Sequence, residues 1–569
     1  MKKIMIWMLL LAMTLGLCAC GQNAETRQTT SATTEPTTAP TTAPPTEPTA
    51  PPAMDLTGKY YLDVERNEAI VNDGGTVTVE NAGNCRAYYH IFVGSFSDSN
   101  GDGVGDLRGI INRFDYLNDG DPNSGVSLGI EGIWLSPIFT SPSYHKYDTT
   151  DYYEIDPKFG TMEDLQELID LCHARGVQII LDLVINHTGK NNEWFQKFQA
   201  AHRNGAEDDP YYNFYSWSNT TAPGIMYHTI SGTRQFYEGN FSGEMPELNF
   251  DNPAVREAVV DIAKFYLDMG VDGFRFDAAK YIYYGKTTEN TDFWDWYMAQ
   301  LRAIKPDIFT VAEVWDSDGV TIPYFSSTNC FNFTMAQSGG MIAQTAQAGD
   351  VTVLTSYVSN YLSEIQQCNP NAFMCTFIAN HDTDRAAGFL TVASGQAKVA
   401  ANLSLLMPGT TFIYYGEEIG MKGSRGGANT DANRRLAMFW GDGDTVKNPV
   451  GANYSSGQTN GSVMDQLPNG DSLYNHYKKL ISIRKANPEI AYGTYTPLTT
   501  DSKLGGFIST YNGSSVVVLH NTSRNDVTID LSTLTDLPLD TLVAFVGMGI
   551  ATLEGTVLTI SGQTSVVLR

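Results

Sequence analysis

The sequence predicts an α/β fold: a (β/α)8 TIM barrel with an inserted domain after strand 3 and a C-terminal antiparallel β-sandwich domain. Three observations carry this prediction. Short apolar runs alternate with stretches of helical periodicity from Cys85 to Asn487, and about eight such strands make the arithmetic of a parallel barrel. A long aromatic and polar excursion at residues 188–250 interrupts the alternation and exceeds an ordinary connection. Beyond Pro488 the helical period disappears and two-residue alternation replaces it, as in a small all-β domain.

The 569 residues are too many for one small core, so two or three domains are expected. Hydrophobic residues at 42% and charged residues at 17% are ordinary for a globular protein. The net charge of -27 argues against nucleic acid, because phosphate recognition needs a basic footprint. It suits a neutral substrate.

Residues 1–20 read as a targeting segment. Lys2 and Lys3 precede the apolar run Ile4 to Leu17. Leu17-Cys18-Ala19-Cys20-Gly21 resembles a bacterial lipobox, with Cys20 lipidated after cleavage. Residues 21–54 are nearly all Thr, Pro, Ala, Ser and Glu, a disordered linker that cannot bury enough surface to offset chain entropy and acts as an extended spacer. No other stretch is long and apolar enough to span a bilayer. The expectation is an extracellular protein that meets the membrane only through its lipid anchor. Residues 55–84 alternate around a Gly-Gly turn and read as a small β decoration.

The barrel is assigned to residues 85–187 and 251–487. Its strands are expected at Tyr88 to Val93, Ile130 to Leu135, Val177 to Val184, Gly270 to Asp277, Ile308 to Ala312, Cys330 to Phe333, Phe373 to Ile378 and Thr411 to Tyr415. Before the third strand, Thr161 caps a helix with Asp164 three residues on. Leu165, Leu168, Ile169 and Cys172 follow at helical spacing, and Gly176 closes it. Asn252-Pro253 opens the next helix and Gly270 ends it. In the tail, residues 488–569, strands are expected at Phe507 to Tyr511, Ser515 to His520, Val527 to Leu531 and Thr556 to Leu568. Cys85, Cys172, Cys330, Cys368 and Cys375 lack metal-ligand spacing. Buried free thiols are expected, although Cys368 and Cys375 are placed to close a small loop.

In such a barrel the C-terminal strand ends line the active site. The third ends Asp182-Leu183-Val184-Ile185-Asn186-His187, and the fourth Arg275-Phe276-Asp277. The fifth ends Ala312-Glu313-Val314-Trp315, and the seventh Asn380-His381-Asp382. Alternation puts Arg275 and Asp277 on one face and Phe274 and Phe276 on the other. Alone that pair reads as a salt bridge; with Glu313, Asp382 and two histidines it reads as a catalytic mouth. A Mg2+ site is disfavoured because Arg275 competes with a metal, and the same cation is expected to lower the pKa of Asp277.

These strand ends resemble the signature regions of the α-amylase family, glycoside hydrolase family 13. Five motifs stand in the family's order: Asp182 to His187, Glu247-Leu248-Asn249, Gly273 to Lys280, Ala312 to Trp315 and Asn380 to Asp382. The similarity runs from about Tyr88 to Tyr415; the excursion resembles the family's domain B and the tail its C-terminal β-domain. The resemblance implies Asp277 as nucleophile, Glu313 as acid/base and Asp382 as the third acid. His145, His187 and His381 would bond to the sugar at the cleavage point, Tyr147 would stack on it, and Lys280 and Trp315 would lie on the acceptor side. The loop from Asp98 to Asp106 carries oxygen ligands at alternate positions with glycines between, which is calcium chemistry. The resemblance implies side-chain ligands Asp98, Asn100, Asp102 and Asp106, with Val104 through its carbonyl. A second family calcium would use Asn186, but its domain B position is the neutral Asn249, so one calcium is expected.

The implied activity is hydrolysis of α-1,4 bonds in starch-like glucans through a covalent glucosyl-enzyme. Ala278-Ala279-Lys280 resembles amylases more than the family's α-1,6-specific branch. The alternatives are a 4-α-glucanotransferase and a neopullulanase or cyclomaltodextrinase. A non-catalytic starch-binding lipoprotein is disfavoured, because binding alone has no use for Asp277, Glu313 and Asp382 around Arg275.

Overall fold

The computed structural model describes residues 85–121, 127–426, 430–454, 460–501 and 503–569. The signal segment, Cys20, the linker and the expected decoration at residues 55–84 lie outside the described residues. Eight parallel strands close into a barrel: β1 (Ala87–Ile91), β2 (Gly132–Leu135), β3 (Gln178–Leu183), β4 (Gly273–Phe276), β5 (Phe309–Ala312), β6 (Asn329–Cys330), β7 (Cys375–Phe377) and β8 (Thr410–Tyr414). Hydrogen-bonded neighbours run β6-β5-β4-β3-β2-β1-β8-β7, and a parallel bridge between Phe331 and Cys375 joins the two ends. The strands are covered on both faces, which is why they read as unbroken apolar runs.

Two apolar layers result. Tyr88, Trp134, Ile180, Phe309, Phe331 and Phe412 fill the barrel interior, while Phe274, Phe276, Leu181 and Leu183 belong to the core packed against the helices. Gly132 faces Tyr88 so closely that a Cβ would lie 2.5 Å from its ring. At Gly273 a Cβ would lie 1.7 Å from the Phe309 carbonyl oxygen. Both strands need glycine there for the barrel to close.

The helices include α1 (Leu107–Asn112), α2 (Met162–Ala174), α3 (Glu193–Asn204), α4 (Pro253–Met269), α5 (Thr287–Ile304), α6 (Thr352–Cys368), α7 (Gln396–Leu405) and α8 (Leu473–Ala486). Thr161 and Asp164 form the expected capping box of α2. Asn252 caps α4, and Gly270 ends it at φ 106°, in the left-handed region that favours glycine. The excursion after β3 holds α3 and a three-stranded antiparallel sheet made of Trp217–Ser218, Tyr227–Thr229 and Phe236–Glu238.

The tail forms a five-stranded and a three-stranded antiparallel sheet. Leu504, Val517, Leu519, Leu558, Ile560 and Val566, drawn from both sheets, share one core. Three of its strands were not anticipated: Thr494–Asp501, Leu542–Gly547 and Ala551–Glu554. The run expected from Thr556 to Leu568 is two strands, Val557–Ile560 and Thr564–Leu568, in different sheets. Gln563 breaks it at φ 54°. The five described cysteines are free thiols, and Cys368 is exposed rather than buried. Among the described residues no helix is long and apolar enough to cross a membrane.

Candidate active site

Arg275 is the hub of the barrel mouth. It points inward from β4 and is 1% exposed. Its Nη1 donates to Asp182 Oδ1 and to Asp277 Oδ1, both at 2.7 Å, and its Nη2 lies 2.8 Å from Glu313 Oε2. The register that pairs Asp182 with Arg275 across β3 and β4 makes the first contact. Asp277 follows β4 and Glu313 follows β5 directly, so both acids are set by strand ends. Ala278 takes φ 47°, a strained conformation for a residue with a Cβ. That turn brings its N–H to Glu313 Oε2 at 3.1 Å.

Burial raises the pKa of Glu313, against the pull of Arg275 and with help from the charges of Asp277 and Asp382. Asp182 is pushed up to about 7 by burial, again opposed by Arg275. At Asp277 Arg275 pulls the pKa down as expected, but burial outweighs it and raises the pKa above the ordinary aspartate value. Two neighbouring carboxyls share that guanidinium, so its charge is divided among three acids.

Asp382 behaves differently. Burial works to raise its pKa, but His381 and then Arg435 and Arg275 bring it well below the usual range. Arg435 Nη2 donates to Asp382 Oδ1 at 2.7 Å, and His381 Nε2 lies 2.9 Å from Oδ2. Arg435 also donates through Nε to the His381 carbonyl at 3.1 Å and through Nη1 to the Tyr144 hydroxyl at 3.1 Å.

The remaining predicted residues divide into two groups. His145 Nδ1 accepts from the Tyr147 N–H at 3.1 Å, so its proton sits on Nε2, available to a sugar hydroxyl; burial holds its pKa at about 4. Lys280 Nζ donates to the Trp315 carbonyl at 2.6 Å and to Asp316 Oδ2 at 2.9 Å. The Trp315 ring is 41% exposed and stacks on Phe333 at 4.9 Å.

His187 and His381, by contrast, are turned inward. His187 Nε2 donates to the Tyr147 carbonyl at 3.2 Å, and its Nδ1 lies 3.3 Å from Asn186 Nδ2. Burial lowers its pKa to about 4. The His381 ring is fully buried, with Nε2 engaged by Asp382 and, at 2.6 Å, by the Tyr147 hydroxyl. That hydroxyl also reaches Asp182 Oδ2 at 2.9 Å. His381 thus braces Asp382, while His187 is tied to the backbone of Tyr147.

Sequence reasoning passed over Arg435 and the side chain of Asp182. Asp182 had a legible signal, an acid at a strand end facing Arg275 in register. Arg435 had none, since it lies in a loop after β8 with no motif around it.

The Asp98 to Asp106 loop is tightly wound, with Gly101 at φ 85° and Gly103 at φ 92°. Asp98 accepts from the N–H groups of Gly101 and Gly103 at 2.7 Å each. Asn100 accepts from the Asp102 N–H at 3.0 Å, and Asp102 from the Val104 N–H at 2.7 Å. Asp106 caps α1 through the Gly109 N–H at 2.6 Å. Among the described residues no group of three or more acidic, histidine or cysteine side chains is arranged to hold a metal ion. The alternating oxygen donors nonetheless fit a hard cation. Asn249 donates to the Asn213 carbonyl at 2.9 Å, within the excursion, and the acid beside Asn186 is Glu247, raised to about 7 by burial.

A family model described as alpha amylase, catalytic domain, matches residues 90–493. The chain belongs to the α-amylase family. It is 36% identical over 454 residues to an α-amylase of Dictyoglomus thermophilum, covering 78% of this chain and 86% of that protein. It is 30% identical over 466 residues to a 4-α-glucanotransferase of Thermotoga neapolitana, covering 78% and 97%. The solved structure of Eubacterium rectale Amy13B superposes with a TM-score of 0.79 at 34% identity, covering 87% of this chain and 98% of that one. The protein is thus an α-amylase-family enzyme of the glycoside hydrolase type that acts on glucans.

Proposed function

We propose that the protein is an extracellular retaining hydrolase of α-1,4-glucosidic bonds in starch and maltodextrins. One observation carries this reading: Arg275 holds Asp277 and Glu313 on its two terminal nitrogens at 2.7 and 2.8 Å. Carboxylates that share one guanidinium sit close together, which favours the roughly 5 Å separation of a retaining pair over the wider inverting gap.

In this mechanism Asp277 attacks the anomeric carbon while the bond to the glycosidic oxygen breaks, and Glu313 gives that oxygen its proton. Water then delivers a proton to Glu313 and its oxygen to the anomeric carbon, and Asp277 is released. Burial gives Glu313 the raised pKa that an acid needs. With the proton on Glu313, the charge of Arg275 is left to ionise Asp277. Asp382, kept anionic by His381 and Arg435, holds sugar hydroxyls and favours the distorted ring; His145 donates from Nε2, and Tyr147, Lys280 and Trp315 shape the two sides of the cut. A second reading, transfer to another sugar, is favoured by the exposed Trp315 ring on the acceptor side.

Product analysis over time on maltoheptaose separates the readings. Hydrolysis yields a net gain of reducing ends from the first minutes; early longer oligomers without that gain would overturn it. Asp277→Asn should lose turnover and keep glucan binding. A variant that stayed active would refute the nucleophile assignment.

Asp98, Asn100, Asp102, Asp106 and the Val104 carbonyl are proposed to hold one calcium ion, which would brace the loop between β1 and α1. A lipid on Cys20 is proposed to anchor the enzyme at the cell surface, supported by the lipobox-like Leu17 to Gly21 and the Thr/Pro-rich spacer. Cys20→Ala should release the protein from the membrane fraction, and an unchanged distribution would refute the anchor.

A further inference from the structure

Lys146 stands between two residues of the site, His145 and Tyr147, yet its own side chain has no part in the chemistry above. It lies in the loop that joins two short antiparallel strands, Phe139–Thr140 and Asp151–Ile155. Its backbone sits at φ 67°. That left-handed conformation is costly for a residue with a Cβ and lasts only where the surroundings hold it. Lys146 is also 4% exposed, and a buried ammonium needs a partner.

The partner is Asp156. Lys146 Nζ donates to Asp156 Oδ2 at 2.7 Å and to the Ser141 carbonyl at 2.9 Å, and it lies 5.3 Å over the Phe159 ring. Asp156 Oδ2 also accepts from the Ser141 N–H at 3.2 Å. Asp156 is fixed in turn: its N–H donates to the Ile138 carbonyl at 2.9 Å, and its Oδ1 accepts from the Lys158 N–H at 3.1 Å. One ion pair thus ties the middle of the loop to its start. Across the turn, the Lys146 N–H reaches Ser143 Oγ and the Tyr147 N–H reaches His145 Nδ1, both at 3.1 Å. Tyr147 then places its hydroxyl 2.9 Å from Asp182 Oδ2 and 2.6 Å from His381 Nε2. Those two partners are held by Arg275 and by Asp382.

We infer that Lys146 is a positioning residue for the reaction: its ion pair with Asp156 latches the left-handed turn that sets His145 and Tyr147 against the sugar. This rests on the proposed glucan reading. Lys146 and Asp156 do not touch the substrate; they act through the two side chains that flank the turn. With the pair removed, residue 146 is free to return to negative φ, and the Tyr147 hydroxyl is drawn off Asp182 and His381.

The test uses the full-length protein. Lys146→Met alone strands the buried Asp156 carboxylate and should lower the melting temperature. Lys146→Met with Asp156→Leu removes both charges, and apolar side chains in place of a buried pair keep stability near that of the parent. The double variant should therefore melt close to the parent and still lose about 10²-fold in kcat/KM on maltoheptaose, the scale of an ångström's misplacement. In a Tyr147→Ala background the same two changes should cost no more than about twofold, because the side chain they act through is gone. Recovery of kcat/KM together with the melting temperature would make the pair purely structural and overturn the inference, as would an equal loss in both backgrounds. A crystal structure of the double variant checks the latch without substrate. Its Tyr147 hydroxyl should lie beyond hydrogen-bond distance of Asp182 and His381, and an unmoved hydroxyl would overturn the latch. An unmodified enzyme that cleaves no maltoheptaose would instead count against the glucan reading, and the crystal structure would still decide the latch.

Discussion

Arg435 Nη2 donates to Asp382 Oδ1 at 2.7 Å while its Nε holds the carbonyl of the preceding residue, His381, at 3.1 Å. One side chain from the loop after β8 thereby fixes both the charge and the backbone at the end of the β7 segment. Replacing it by methionine keeps much of the bulk and leaves Asp382 without its arginine. The expected result is a loss of about 2.7–4 kcal/mol of transition-state stabilisation, on the order of 10²–10³ in kcat/KM. Circular dichroism should be unchanged, and Arg435→Lys should recover part of the activity. Steady-state kinetics on maltoheptaose checks this.

Arg275→Lys keeps the charge but not the fork. A single ammonium cannot repeat the contacts of Nη1 to Asp182 and Asp277 and of Nη2 to Glu313. Arg275 opposes burial at both catalytic acids, so weakening its grip lets their pKa values rise further. The acid limb of the kcat/KM profile should therefore move to higher pH, with a fall of about 10²-fold at the optimum. An unmoved limb would show that the fork plays no part in ionising Asp277.

The contrast between these two arginines shows how much could be read from the chain. Arg275 was legible because it stands on a strand two residues from an acid. The barrel was legible because eight apolar runs carry their polar residues at one end, and caps such as Thr161 with Asp164 gave helix starts. Arg435 was not, because its contacts come from chain closure between β7 and β8 and leave no local pattern. The raised pKa of Asp277 was missed for a related reason: the sequence shows the neighbouring cation but not the depth of burial or the two rival acids. In the tail, Thr494–Asp501 is polar and carries Pro497, so its pairing with Leu504–Tyr511 had no periodic signal.

A second group of buried polar residues governs stability. His476 on α8 bonds through Nε2 to Asn402 Oδ1 on α7 at 2.8 Å, Asn402 Nδ2 reaches Ser565 Oγ at 2.9 Å, and His520 Nδ1 lies 2.8 Å from the same hydroxyl. Burial lowers His476 to about 3 and His520 to about 4, from an ordinary value of 6.5. The folded state thus keeps both rings neutral after the unfolded chain would take up protons. Their contribution is complete above pH 6.5 and is lost as the pH falls from there toward 4 and 3. The melting temperature should drop over that window, and His476→Gln should flatten the slope. Thermal melts across the series decide it.

For the proposed calcium, removing the ion with a chelator should lower the melting temperature by several degrees, on the order of 1–2 kcal/mol. Adding calcium back should restore it, while Asp102→Ala should melt low in either condition. No shift with chelator would refute the site at the Asp98 to Asp106 loop.

The barrel closes unevenly. Along most of its circumference each strand meets its neighbour over three or more residue pairs, but β6 is two residues long and reaches β7 through the one bridge from Phe331 to Cys375. That line is the seam along which the cylinder parts with the least loss of pairing. Two buried thiols mark it, Cys330 on β6 and Cys375 at the start of β7. The enzyme therefore carries its own reporter of breathing: the rate at which these sulfurs become reactive to a thiol reagent clocks how often the seam opens, well before the rest of the fold gives way.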